Sequence, residues 1–97
     1  MTRRRAPTPP GAILYELYLA ERGISIAAFA KAVGCSRKHM SQVIHGKARI
    51  EASLAMRIGA VLGTSAELWL NLQNKVDLYR AEQKLKNWKP QSVFRAS

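Results

Sequence analysis

Acidic residues are scarce in this sequence. Six Asp and Glu stand among 97 residues against 16 Lys and Arg, a formal charge of +10. Such an excess speaks for a polyanionic partner, nucleic acid first and an anionic membrane surface second. Cysteine is nearly missing: the single Cys35 excludes an intramolecular disulfide and fits a reducing compartment. Long apolar runs are missing too, because charged or polar residues interrupt every stretch well short of a membrane span. The basic start leads into Pro-Thr-Pro-Pro and Leu-Tyr-Glu-Leu-Tyr, which does not read as a secretory signal. The length leaves no room for a second full-sized domain and rules out a large enzyme with cofactor domains. With 47% hydrophobic and 23% charged residues the chain can still build a core. So short a chain buries a modest share of its surface, and dimerisation would help it.

The charge is unevenly placed. Between Glu21 and Glu51 no acid occurs, while Arg22, Lys31, Arg37, Lys38, Lys47 and Arg49 all fall inside. From Glu51 to Tyr79 the balance reverses, and both ends turn basic again. A lone basic run is usually a solvated face. An acid-free centre flanked by a near-neutral stretch points instead to one face for phosphates and another for apolar contact.

Residues 1–10 hold Arg3, Arg4, Arg5 and three prolines, and read as a flexible basic arm. Beyond it, Gly23, Gly34, Gly46 and Gly63 each follow an apolar-periodic run, where a helix takes a left-handed closing residue. Ser25 and Ser36 stand where the next helices need caps, and Thr64-Ser65-Ala66-Glu67 has the form of a capping box centred on Thr64. Apolar spacings such as Ile26, Phe29, Ala30 and Val33 follow a helical period, and strand alternation is absent. The pattern predicts an all-α domain over 11–85, with helices near 12–22, 26–33, 37–45, 52–62 and 66–85, and a basic tail over 86–97.

The second and third of these helices are joined by Gly34-Cys35-Ser36 alone, so they must cross steeply. A steep crossing needs a small residue at the approach, which Ala30 supplies, and a turn residue tolerant of left-handed backbone, which is Gly34. Phe29, Val33, Cys35, Met40 and Val43 fall where side chains must fill the angle. This is a helix-turn-helix signature. On the outward face of its second helix, Arg37, Lys38, Ser41 and Gln42 are placed to read base edges, with Arg and Gln offering forked hydrogen-bonding groups. Ser25, Ser36, His39, His45, Lys47 and Arg49 surround that face as phosphate contacts, and Arg3, Arg4 and Arg5 form a candidate DNA arm.

With those residues in hand, the chain resembles the HigA-family antitoxins, XRE-type helix-turn-helix proteins with a lambda-repressor-like fold. The resemblance runs from about Pro10 to about Arg80. It rests on Phe29-Ala30-Lys31-Ala32-Val33-Gly34-Cys35-Ser36-Arg37, on Ser41-Gln42-Val43-Ile44-His45-Gly46-Lys47, and above all on Leu62-Gly63-Thr64-Ser65-Ala66-Glu67-Leu68-Trp69-Leu70-Asn71-Leu72-Gln73 with Asp77-Leu78 after it. It implies a five-helix fold with an extended last helix. It also implies a cytoplasmic, nucleoid-associated autorepressor that binds a palindromic operator as a homodimer and neutralises a small ribonuclease toxin by direct binding. A stand-alone XRE-type repressor of phage or plasmid origin, and a basic module for protein or RNA, are the other readings that the residues leave open.

Cys35, His39 and His45 make a poor zinc set, since structural sites want four ligands, and no metal or cofactor is expected. Cys35 has no histidine with an evident orienting acid, so no catalytic residue is expected either. On the last helix, Leu68, Trp69, Leu72, Val76 and Tyr79 share an arc of about 100° that docks on the core. Leu70 and Leu78 point elsewhere on that wheel and are the expected dimer interface.

Overall fold

The computed structural model describes residues 5–95, so Arg3 and Arg4 of the expected arm lie outside the described residues. Among them there is no strand, and helices in five segments build the fold. Helix α1 starts at Pro10–Ile13 and continues without a break into a π-helical stretch, Leu14–Leu19; α2 is Ile26–Val33, α3 Arg37–Ile44, α4 Ala52–Leu62 and α5 Ala66–Lys84. Four of the five agree with the sequence pattern to within a residue at each end.

The first helix is the exception. It starts at Pro10, which has no N–H to leave unpaired in a first turn and is itself buried. It then widens, with Ala20 N–H donating to the Tyr15 carbonyl at 2.8 Å, and it closes at the left-handed Gly23, where Ile24 N–H reaches back to the Leu19 carbonyl at 2.9 Å. In an α-helix Leu14 and Leu19 would project about 140° apart. The wider i→i+5 turn, with less rotation per residue, narrows that separation. Both leucines are fully buried, which is what the widening achieves.

The helix ends follow local chemistry. The hydroxyls of Ser25, Ser36 and Ser65 accept the N–H groups of Ala28, His39 and Leu68 at 3.0, 3.0 and 3.1 Å. The α5 cap is therefore Ser65 and not Thr64. The Thr64 hydroxyl is taken by the indole Nε1–H of Trp69 at 2.8 Å, a bond that a fully buried tryptophan requires.

One core joins all five segments: Leu14, Leu19, Phe29, Met40, Ile50, Leu54, Ile58 and Trp69 are each buried. Tyr18 meets Trp69 edge to face, with ring centroids 5.4 Å apart. Helix α5 packs on both α4 and α1, so more than one arc of its first turns is covered. That explains why Leu70, expected to point away from the core, leans partly against it.

Helix α1 also touches α3, and Gly11 is the contact. A Cβ built on Gly11 would fall 1.9 Å from the Val43 carbonyl oxygen and 2.7 Å from the Ile44 Cα. Backbone thus meets backbone at the end of α3, and only hydrogen fits between them.

Candidate nucleic-acid interface

The α2–α3 pair is fixed by its turn. Gly34 closes α2 at φ 78°, a left-handed conformation suited to glycine. Cys35 N–H then reaches back to the Ala30 carbonyl at 3.0 Å. The last carbonyls of α2 receive a partner that the sequence pattern did not reveal: Arg57 of α4 donates through Nη1 to Val33 O at 2.9 Å and to Gly34 O at 3.1 Å. A guanidinium at a helix C-terminus is favourable to the dipole as well. Ala30 and Val33 are buried at the crossing, as the signature requires. Cys35 is half-buried. Burial pushes its thiol up, against a smaller opposing effect of Arg57, and so keeps it in its unreactive form.

The crossing turns one face of α3 outward. A shallow concavity of about 490 Å³ opens there, lined by Arg37, Lys38, Ser41, Gln42, His45 and Lys47. No acidic side chain is in that lining, so a concave surface of one sign faces solvent. All four side chains assigned to base reading are brought together in it. Of the assigned phosphate contacts, His45 and Lys47 join them. The Ser25 and Ser36 oxygens are engaged as caps, which leaves each hydroxyl hydrogen available as a donor at a helix N-terminus. His39 and Arg5 are exposed.

His45 is oriented. Its Nδ1 lies 2.7 Å from the Ser41 carbonyl, an atom that can only accept, so Nδ1 carries hydrogen and Nε2 is the free nitrogen. The Ser41 hydroxyl sits 3.3 Å from the same Nδ1. The loop after α3 is tied to it as well, because Lys47 N–H and Ala48 N–H share the Gln42 carbonyl at 2.8 and 3.2 Å.

Arg49 departs from the arrangement expected of it. Its guanidinium turns to α5, where Nη2 donates to Asp77 Oδ2 at 2.5 Å, and it is absent from the concavity. Asp77 is held in turn by Gln73 Nε2 at 3.0 Å, while Gln73 Oε1 accepts Ile50 N–H at 2.8 Å. The bond from Arg49 holds the Asp77 carboxyl below its ordinary range, and the same bond raises Arg49. Gln73 is only 3% exposed, yet both ends of its amide are satisfied. The signal was legible in part: Gln73 lies four after Trp69 and three before Val76, a polar residue on the buried stripe, which demands a partner. Among the described residues no three His, Cys, Asp or Glu side chains gather as a metal site, and no helix is long and apolar enough to cross a membrane.

Fold and face together define a helix-turn-helix protein built to present α3 to nucleic acid. Comparison with known proteins makes the class specific: the chain belongs to the Cro/C1-type HTH DNA-binding domain family, whose model matches residues 16–67, and within it to the HigA antitoxins. It is 37% identical over 76 residues to antitoxin HigA-1 of Vibrio cholerae, covering 78% of this chain and 71% of that one. It is 34% identical over 96 residues to an uncharacterised HTH-type transcriptional regulator of Haemophilus influenzae, covering 93% of this chain and 88% of the relative. The solved structure of antitoxin GraA in complex with its operator superposes with a TM-score of 0.83 at 34% identity, over 100% of this chain and 98% of that one.

Proposed function

We propose that the protein is an operator-binding autorepressor and antitoxin. It binds a palindromic DNA site as a homodimer in the cytoplasm, and it sequesters a small ribonuclease toxin by direct contact, with no catalytic step of its own. The observation that carries the DNA half is the acid-free concavity on α3, where Arg37, Lys38, Ser41 and Gln42 stand beside His45 and Lys47. Forked Arg and Gln side chains at a helix start can discriminate guanine and adenine edges in a major groove. Lys47 and the capping serines supply the sequence-independent grip. Support for the toxin half comes from the relatives: HigA-1 is an antitoxin, and GraA is an antitoxin held on its operator.

Selection of bound duplexes from a random-sequence pool tests the DNA reading. An inverted repeat should emerge. Arg37→Ala or Gln42→Ala should cost about 1–3 kcal/mol on it and relax the preference at one base pair of each half-site. Enrichment of no sequence, or tighter binding of single-stranded RNA than of duplex in a direct competition, would reject the repressor reading. Co-expression with the reading frame next to its gene tests the antitoxin half: growth arrest by that frame alone, relieved by this chain, is the expected result.

A further inference from the structure

The loop between α3 and α4 is held from α5 along its length. Gln73 grips the Ile50 amide, Asp77 grips the Arg49 guanidinium, and Arg80 Nη2 approaches the Gly46 carbonyl at 3.5 Å. Lys47, between those ties, is the loop's cation in the α3 concavity. Arg49, two residues on, is turned the other way. We propose that Arg49, Asp77 and Gln73 are positioning residues for DNA binding: they form an internal clamp that holds the loop so that Lys47 meets phosphate, while Arg49 makes no phosphate contact itself.

The proposal rests on the DNA-binding reading above and has a consequence opposite to simple electrostatics. Removing an acid from a DNA-binding protein ordinarily strengthens its hold on a polyanion. Here, loss of the Asp77 carboxylate should weaken it, because the carboxylate works through the loop. Gln73 adds to the physical case. An amide with both ends bonded, in a site closed to water, has one orientation, so it fixes Asp77 Oδ1 and the Ile50 amide together.

The test uses the full-length chain, the selected duplex and a random-sequence duplex, each titrated across a salt series. Lys47→Gln should flatten the slope of log affinity against log salt by about 0.9. Arg49→Gln should weaken binding by about two- to fivefold, the range expected for an exposed ion pair, and should flatten the slope no further when it is added to Lys47→Gln. Asp77→Asn should weaken binding to a similar degree. In either background the cost of Lys47→Gln should shrink, a coupling that general loss of stability would not produce.

A double variant, Arg49→Gln with Lys47→Gln, whose slope is clearly flatter than that of Lys47→Gln alone would place Arg49 on phosphate and overturn the proposal. So would tighter binding by Asp77→Asn, or a Lys47→Gln cost unchanged in both backgrounds. If the parent chain binds neither duplex, the DNA reading itself fails and takes the clamp with it.

Discussion

Gly11→Ala is the sharpest single test of how the DNA-reading helix is held. The added methyl would stand 1.9 Å from the Val43 carbonyl oxygen and 2.7 Å from both the Val43 carbonyl carbon and the Ile44 Cα. All three are backbone atoms, so no side chain can swing aside. Either α1 or the end of α3 must move. Forcing a methyl into a packed contact costs about 1–3 kcal/mol. A rigid neighbour puts this site at the upper end, so melting should fall by roughly 10–20 °C for a domain of this size. Gly23→Ala is the matched control. It has φ +64° and nothing within 4 Å, so it meets only left-handed strain, about 1 kcal/mol. Scanning calorimetry on the two variants separates steric from conformational cost. DNA affinity adds a second axis: Gly11→Ala should lose binding even at temperatures where it is folded, because the displaced backbone is that of α3 itself. A Gly11→Ala protein that melts no lower than Gly23→Ala, with full DNA affinity, would refute the account of the α1–α3 contact.

Three further outcomes follow from named contacts. Trp69→Phe keeps the ring in the core but strands the Thr64 hydroxyl, and should destabilise by about 1–3 kcal/mol in a urea melt, where Trp69→Ala should cost about 3–5. Asp77 is depressed in the folded state chiefly by its bond to Arg49, so its contribution is present above the unfolded carboxylate value of about 3.9 and is lost as pH falls through the lower folded value. The stability gap between the parent and Asp77→Asn should therefore exist at neutral pH and close in acid; it is small, because the pair is 54% and 36% exposed. Ala30→Leu should wedge α2 from α3 at a cost of about 1–3 kcal/mol and lower melting temperature and DNA affinity together, measured on one preparation.

How legible these features were depended on range. Helices α2 to α5 could be bounded from sequence because their ends are local: a serine cap before α2, α3 and α5, and a left-handed glycine closing α2 and α4. The side chains of the α3 concavity were legible for the same reason, since residues 37, 38, 41, 42 and 45 fall on one face by helical period alone. What spacing did not reveal depended on tertiary placement. Thr64 and Ser65 both fit a cap by spacing, and only the placement of the Trp69 indole decides between them. The π turn after Ile13 answers to where Leu14 and Leu19 must point, not to propensity. Arg49 looked like a neighbour of Lys47 in sequence, yet a carboxylate 28 residues away draws it across to α5. Arg57 carried no signal at all, because a cap donated from another helix leaves no trace in local spacing.

The dimer proposed above has to come from surface that the core leaves open, and α5 offers it beyond Val76. The last buried residue of α5 is Val76, while Leu78 is 56% exposed and Leu85, which ends the helix, is 52% exposed. Seven residues apart, these leucines lie within about 20° of each other on the helix wheel, one apolar stripe past the docked part of the helix. Isolated exposed leucines are common and need no partner. Two on one stripe fit a two-fold contact there, if the proposed dimer sets its recognition helices roughly 34–36 Å apart. Leu70 is the weaker probe, because it leans on the core and a charge there would cost the fold. The expected result is that Leu78→Lys with Leu85→Lys gives a folded monomer by sedimentation at micromolar concentration. Its affinity for the inverted repeat should drop far more than its affinity for random duplex, since each monomer can grip only a half-site. A variant that stays dimeric, or that loses both affinities equally, would move the interface off α5, with exposed Leu17 on the first helix as the next surface to substitute.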